Sequence, residues 1–132
     1  MMDRVEFLIL RNLLHNEEYV RKVIPFIKAD YFENYNEKVV FEEIIKFVEE
    51  YNQPATKEVL CIEAEKRQDI NDSSFKEITQ LITSLEEEHT EFNWLVNTTE
   101  KWCRDRAIYL ALMESIQLAD GKDETKDRDA IP

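Results

Sequence analysis

The chain is predicted to fold as an all-α domain, and three observations lead there. One glycine and three prolines in 132 residues supply little of the turn chemistry that β-hairpins use. Apolar residues recur every three or four positions rather than every second one. Charged residues, 35% against 43% hydrophobic, are spread along the chain as the polar faces of amphipathic helices. The length suits one domain with a single modest core.

The first helix is expected over residues 3–14, with Val5, Leu8, Ile9 and Leu13 as its apolar face. A second begins near Asn16, where Glu17 and Glu18 suit the positive end of a helix, and turns Tyr19, Val20, Val23 and Ile24 inward. Pro25 kinks or ends it, because proline removes a helical hydrogen bond and crowds the preceding turn. "KADYFENYN" (28–36) reads as a connector whose Tyr31 and Phe32 plug into the core. "EKVVFEEIIKFVEEYN" (37–52) is the clearest helix. Val40, Phe41, Ile44, Ile45, Phe47, Val48 and Tyr51 form its inner face, while Glu42, Glu43, Lys46 and Glu49 face water. Tyr31, Phe32, Phe41, Ile44 and Phe47 are the expected structural anchors, together with Arg104 further on.

After the loop "NQPAT", Thr56 is an N-cap for a fourth helix reaching about residue 67. "QDINDSS" interrupts the chain, and Ser74 with Glu77 fits a capping box opening a fifth helix on Phe75, Ile78, Leu81, Ile82 and Leu85. The sixth runs from about residue 90 to 119, on the order of 40 Å. A domain of this size has a radius of gyration of about 14 Å, so that helix is expected to protrude. Gly121 reads as its C-terminal cap. The expected organisation is a helical-bundle head (1–90), a long arm helix packed on and extending beyond it (91–119), and a polar tail or linker (120–132).

A formal net charge of −12 disfavours direct binding to nucleic acid, which needs a basic groove, and disfavours anionic membrane surfaces. No run approaches a membrane span, and "MMDRVEFLIL" lacks a cationic leader with a cleavage site. Cys61 and Cys103 lie in apolar helical patterns and read as free thiols of a reducing cytosol. A single glycine excludes both the G-x-x-x-x-G-K-[ST] phosphate loop and G-x-G-x-x-G. Glu86-x-x-His89 has carboxylate–imidazole spacing, but a di-iron bundle needs two such pairs and two further inward glutamates, and the other histidine is His15. Arg104 could activate the Cys103 thiol if it were exposed, yet its helical phase with Val96, Thr99, Ala107 and Leu110 turns it inward. No catalytic, cofactor-binding or metal-binding residue is assigned.

What remains is "RDRAIYLALMESIQLADG" (104–121). Residues 107–113 include no charged side chain. Leu95, Thr99, Trp102, Arg106, Tyr109, Met113 and Ile116 form one stripe, which Ala107, Leu110, Glu114 and Leu118 widen, while Ile108 and Leu112 lie on the other side. One bundle cannot cover both, and apolar surface of that extent marks an interface. Trp102, Arg106, Tyr109, Leu112, Met113 and Ile116 are therefore the candidate interaction surface. A partly buried Arg106 needs a carboxylate or helix-end carbonyls, as an internal tie or as an anchor for a neighbouring subunit.

Two stretches carry a resemblance. Residues 19–56 present Asp30-Tyr31-Phe32, then Phe41-x-x-Ile44-x-x-Phe47, then Gln53-Pro54; residues 93–116 present Arg104-Asp105-Arg106-Ala107. In this order they resemble the N-terminal domain of DnaB-type replicative DNA helicases, above all the T-even-type bacteriophage members, and the closing "AIP" is similar as well. The resemblance implies a non-catalytic collar domain of a hexameric helicase that pairs through helical hairpins and offers surface to primase. Its partners would be other helicase protomers and primase, in the cytoplasm of an infected bacterial cell, with neither nucleic acid nor membrane contacted directly. It implies no cofactor in this stretch, and ATP or GTP with Mg in an ATPase domain elsewhere. The second arm of the hairpin would follow Pro132, so the chain is expected to be a piece cut inside that hairpin. Two other readings stand beside it. One is a free-standing acidic protein that occupies a basic host partner as a DNA mimic through the acids of 86–91 and 120–129; the other is a small metal-dependent enzyme.

Overall fold

Five of the helices begin where the sequence supplies a side-chain oxygen for a free backbone N–H. In the computed structural model, which describes residues 4–121, these oxygens belong to Asn16, Asn34, Thr56, Asn71 and Glu91. The elements are α1 (Val5–His15), α2 (Glu17–Val23), two 3-10 turns (Ile24–Phe26 and Ala29–Tyr31), α3 (Tyr35–Tyr51), α4 (Lys57–Glu65), α5 (Asp72–Ser84) and α6 (Phe92–Gly121). No strand occurs among the described residues. The fold is all-α, with a long C-terminal helix.

Two boundaries differ from the sequence expectation for identifiable reasons. The α5 cap is Asn71, whose side chain accepts from the Ser74 N–H at 2.8 Å, so the helix starts three residues before the expected capping box. Glu77 instead receives the Asn36 amide at 2.7 Å and joins α5 to α3. Asn52 ends α3 in the left-handed region at φ 52°, a conformation asparagine tolerates better than most residues. α6 continues helical through Gly121, the last described residue, so Asp120 and Gly121, expected as the start of the tail and the cap, belong to the helix, and the rest of the expected tail, 122–132, lies outside the described residues.

α3 runs through the middle of the bundle, against α1, α4 and α5, and α6 lies across α1, α2 and the second 3-10 turn. Ile9, Leu10, Leu13, Tyr19, Val23, Val39, Ile44, Leu60, Ile78, Ile82, Leu85 and Leu95 are fully buried. Each contributes about 1.5–3 kcal/mol by leaving water. Three polar ties cross this core. The Tyr19 hydroxyl meets Thr99 Oγ1 at 2.6 Å, and Thr99 donates to the Leu95 carbonyl at 2.8 Å, so Tyr19 supplies the proton between them. Burial raises the Tyr19 pKa well above the ordinary phenol value. On the other side of α1, buried Arg11 reaches Glu88 (3.1 Å) and Thr90 (3.3 Å), and His15 Nε2 donates to the Leu85 carbonyl at 2.6 Å. These bonds fix the connector that delivers α6.

The third tie corrects the reading of α3. Glu43 was expected to face water; it is buried, because Arg67 arrives from the end of α4 and binds Glu43 (2.7 Å), Glu42 (3.0 Å) and Asp69 (2.7 Å) together. Tyr35 also donates to Asp69. The guanidinium holds the Asp69 carboxyl far below the usual range. Tyr51, expected inward, is exposed and stacks on Phe47 at 4.7 Å.

Candidate functional site

The site is built where α6 leaves the head. Leu95, Val96, Thr99, Trp102 and Cys103 are buried, so the first half of α6 belongs to the bundle core. Trp102 lies against Phe32 (5.0 Å between ring centres) and edge-on to Tyr31 (6.1 Å), while Phe32 packs on Phe41 (5.1 Å). Ring pairs at this spacing favour offset and edge-to-face arrangements. The Trp102 indole N–H is directed at Glu6, 3.4 Å away. One turn on, Arg106 Nε donates to the Tyr31 carbonyl at 2.6 Å, and its guanidinium lies 5.0 Å from the Tyr109 ring centre. The two stretches Asp30-Tyr31-Phe32 and Arg104-Asp105-Arg106-Ala107, far apart in sequence, therefore meet in space as seat and tenon.

Beyond that seat α6 continues without cover. Ile108, Tyr109, Leu112, Ile116 and Leu118 are each between 45% and 62% exposed, and Met113 is half-buried. This stretch, residues 107–120, in which Ala107, Leu110 and Met113 are partly buried and the rest exposed, extends about 21 Å at the usual helical rise. Between those positions Glu114 and Asp120 are the only charged residues. A helix bearing apolar side chains all round is normally enclosed by other elements.

Of the six residues expected at the interaction surface, Tyr109, Leu112 and Ile116 are exposed and Met113 partly so. Trp102 is corrected: at 9% exposure it is a core residue, drawn in by Phe32 and Tyr31. Arg106 is a half-buried hinge whose partner is a turn carbonyl rather than a carboxylate. Arg104 is corrected as a structural anchor, since it points to solvent. Tyr31, Phe32, Phe41 and Ile44 lie in or against the core, and so does Phe47. Periodicity over the whole length of α6 did not reveal that its two halves have different surroundings; the change of composition after Arg106 is the usable signal.

The remaining chemistry is inward or paired. Burial pushes the Cys103 thiol up to about 12, which removes its nucleophilic form at neutral pH, and the half-buried Cys61 thiol is raised for the same reason. Glu86 and His89 do not share a helix face, because α5 ends at Ser84 and both lie in the connector. Glu86 pairs with Lys57 at 3.1 Å and Glu88 with Arg11, so part of the 86–91 acidic run is already neutralised. Among the described residues no group of three or more His, Cys, Asp or Glu is arranged to hold a metal ion, and no helix is long and apolar enough to cross a membrane.

Fold and surface together define a helical domain that carries an uncovered apolar arm. No protein-family model matches the chain. It is similar to a DnaB-like replicative helicase of Enterobacteria phage T4, with 28% identity over 111 residues. The match covers 84% of this chain and 23% of that protein, so the chain spans less than a quarter of its relative's length. The likeness relates the chain to DnaB-like replicative helicases and to a bacteriophage.

Proposed function

We propose that this chain is a non-catalytic N-terminal collar domain of a hexameric replicative DNA helicase, joining protomers and offering surface to primase. The observation that carries the reading is the apolar arm of α6, which leaves a finished core with Ile108, Leu112, Ile116 and Leu118 exposed, in a chain similar to a DnaB-like replicative helicase. The second arm of a helical hairpin and a neighbouring protomer's hairpin cover Ile108, Leu112 and Ile116. Tyr31, Phe32 and Arg106 set the angle at which the arm departs. Nucleotide hydrolysis with Mg and translocation belong to another part of the protein, and the domain works in the cytoplasm of an infected bacterial cell.

Sedimentation equilibrium tests the reading. Wild-type chain associates with rising concentration, and Leu112→Glu or Met113→Glu holds it monomeric while its helical circular dichroism stays unchanged. In the whole helicase the same substitutions lower hexamer yield and primase binding. Loss of the helical signal in Leu112→Glu would make that residue core. Nucleoside triphosphate hydrolysis by the purified chain alone would contradict a collar role.

A further inference from the structure

A second apolar surface lies on the head, between α2 with its following 3-10 turn and the C-terminal end of α3. The chain leaves a groove of about 470 Å³ there. Its floor is Val20, Ile24, Pro25, Val48 and Pro54. The cause is local: Pro25 ends α2 in a 3-10 turn, and Asn52 ends α3 in the left-handed region, so neither helix continues across the gap.

The rim is acidic. Arg21 is held by Glu17 at 2.6 Å and so presents no free positive charge. Glu49 is exposed and has no ionic partner among the described residues, and Glu50 beside it is likewise exposed. Two further grooves border the same end of α3; Glu49 and Glu50 line them without an ionic partner among the described residues, whereas their Glu42 is held by Arg67 and their Glu63 by Lys46 and Lys66. The cation common to both, Lys46, sits within 4.0 Å of Glu43 and Glu63. The last carbonyls of α3 add the negative end of a helix dipole. A second copy of this chain, at net charge −12, meets that rim with repulsion.

We infer that this groove docks a basic amphipathic segment of another protein, one that sets an aliphatic or aromatic side chain on the Val20–Ile24–Val48 floor and a lysine or arginine against Glu49. The inference does not depend on the helicase reading, because it uses only the head and none of the α6 arm.

The test uses a synthetic fifteen-residue helical peptide of leucine and lysine, and a matched peptide with glutamate in place of lysine, each titrated into the ¹⁵N-labelled chain. The cationic peptide is expected to shift amides of residues 20–25 and 48–54 and to bind more tightly than the acidic one. Glu49→Lys should weaken it by about threefold to tenfold, the scale of reversing one exposed charge pair. Glu33→Lys is the control: it changes net charge equally but lies beyond the other end of α3, about 20 Å away along the helix axis. Ile24→Asn tests the floor at unchanged charge and should weaken the cationic peptide as well; unchanged binding would overturn the floor assignment. Equal weakening by Glu33→Lys and Glu49→Lys would overturn the proposal, since attraction to net charge alone would explain both. Equal binding of the two peptides, or shifts confined to residues 108–118, would overturn it too. So would loss of self-association in Glu49→Lys, which would make the occupant a second copy.

Discussion

The head and the arm of this molecule are continuous in one helix, yet they obey opposite rules of composition. Residues 4–106 hold 14 basic and 22 acidic side chains around a core with fully buried aliphatics on every α-helix. Residues 107–121 hold two acids and no base, and none of 107–120 is buried. The head follows the expected sorting of apolar inside and charged outside. The arm inverts it, with Ile108, Leu112, Ile116 and Leu118 in water. Exposed apolar surface of that extent is a usual mark of an interface, and that is the reading proposed for it.

Core truncation should divide the two regions most sharply. Ile44→Ala in the centre of α3 should cost about 2–5 kcal/mol in urea unfolding, from lost burial and the cavity left behind. Leu112→Ala should fall within about 0.5 kcal/mol in the dissociated chain, as an exposed substitution does. Trp102 marks the border. If it belongs to the head, Trp102→Ala should cost about 3–5 kcal/mol, and a surface-sized effect would move the border back by a turn and a half.

A smaller effect concerns the clasp between α3 and α4. Arg67→Ala leaves the buried Glu43 carboxylate with only Lys46, 4.0 Å away, and should cost about 1–3 kcal/mol, while leaving arm association untouched. The hydroxyl deletion Tyr19→Phe removes the bond to Thr99 and should cost about 1 kcal/mol.

Acid titration gives the smallest effect, and its sign can be stated. Hydrogen bonds from Arg67 and Tyr35 hold the Asp69 carboxyl below the ordinary aspartate value of about 3.9. Its contribution is therefore fully present above that pH and is lost as pH falls towards the folded value. Glu37 runs the other way: burial raises its carboxyl, so falling pH through that raised value favours the folded chain. Urea midpoints measured across acid pH should decline less steeply for Asp69→Asn than for wild type, and a parallel decline would remove the Asp69 assignment.

Much of this was legible in the sequence, and the failures share a cause. The helix order, the Thr56 cap and the Tyr31–Phe32 plug follow from spacing that is local in the chain, and the long last helix from its unbroken run of helix-forming residues. Glu43 could not be recognised as buried, because its partner Arg67 is 24 residues away and only the turn between α3 and α4 brings them together. Trp102 was placed on the surface because a 3-4 spaced stripe looks the same whether it faces a bundle or a partner. The groove beside Pro25 and Asn52 had its two chain-terminating signals in view, but not their juxtaposition.

The most direct test of the division is amide hydrogen exchange along α6 at low and high protein concentration. Residues 95–106 should be protected at both. Residues 108–118, where Ile108, Tyr109, Leu112, Ile116 and Leu118 are exposed, should exchange quickly in the monomer, with protection fading away from the head. At concentrations where the chain associates, they should slow by at least about tenfold, which corresponds to roughly 1.4 kcal/mol of added protection. Strong, concentration-independent protection of 108–118 in a chain shown to be monomeric would contradict the claim that the arm is an unfilled interface.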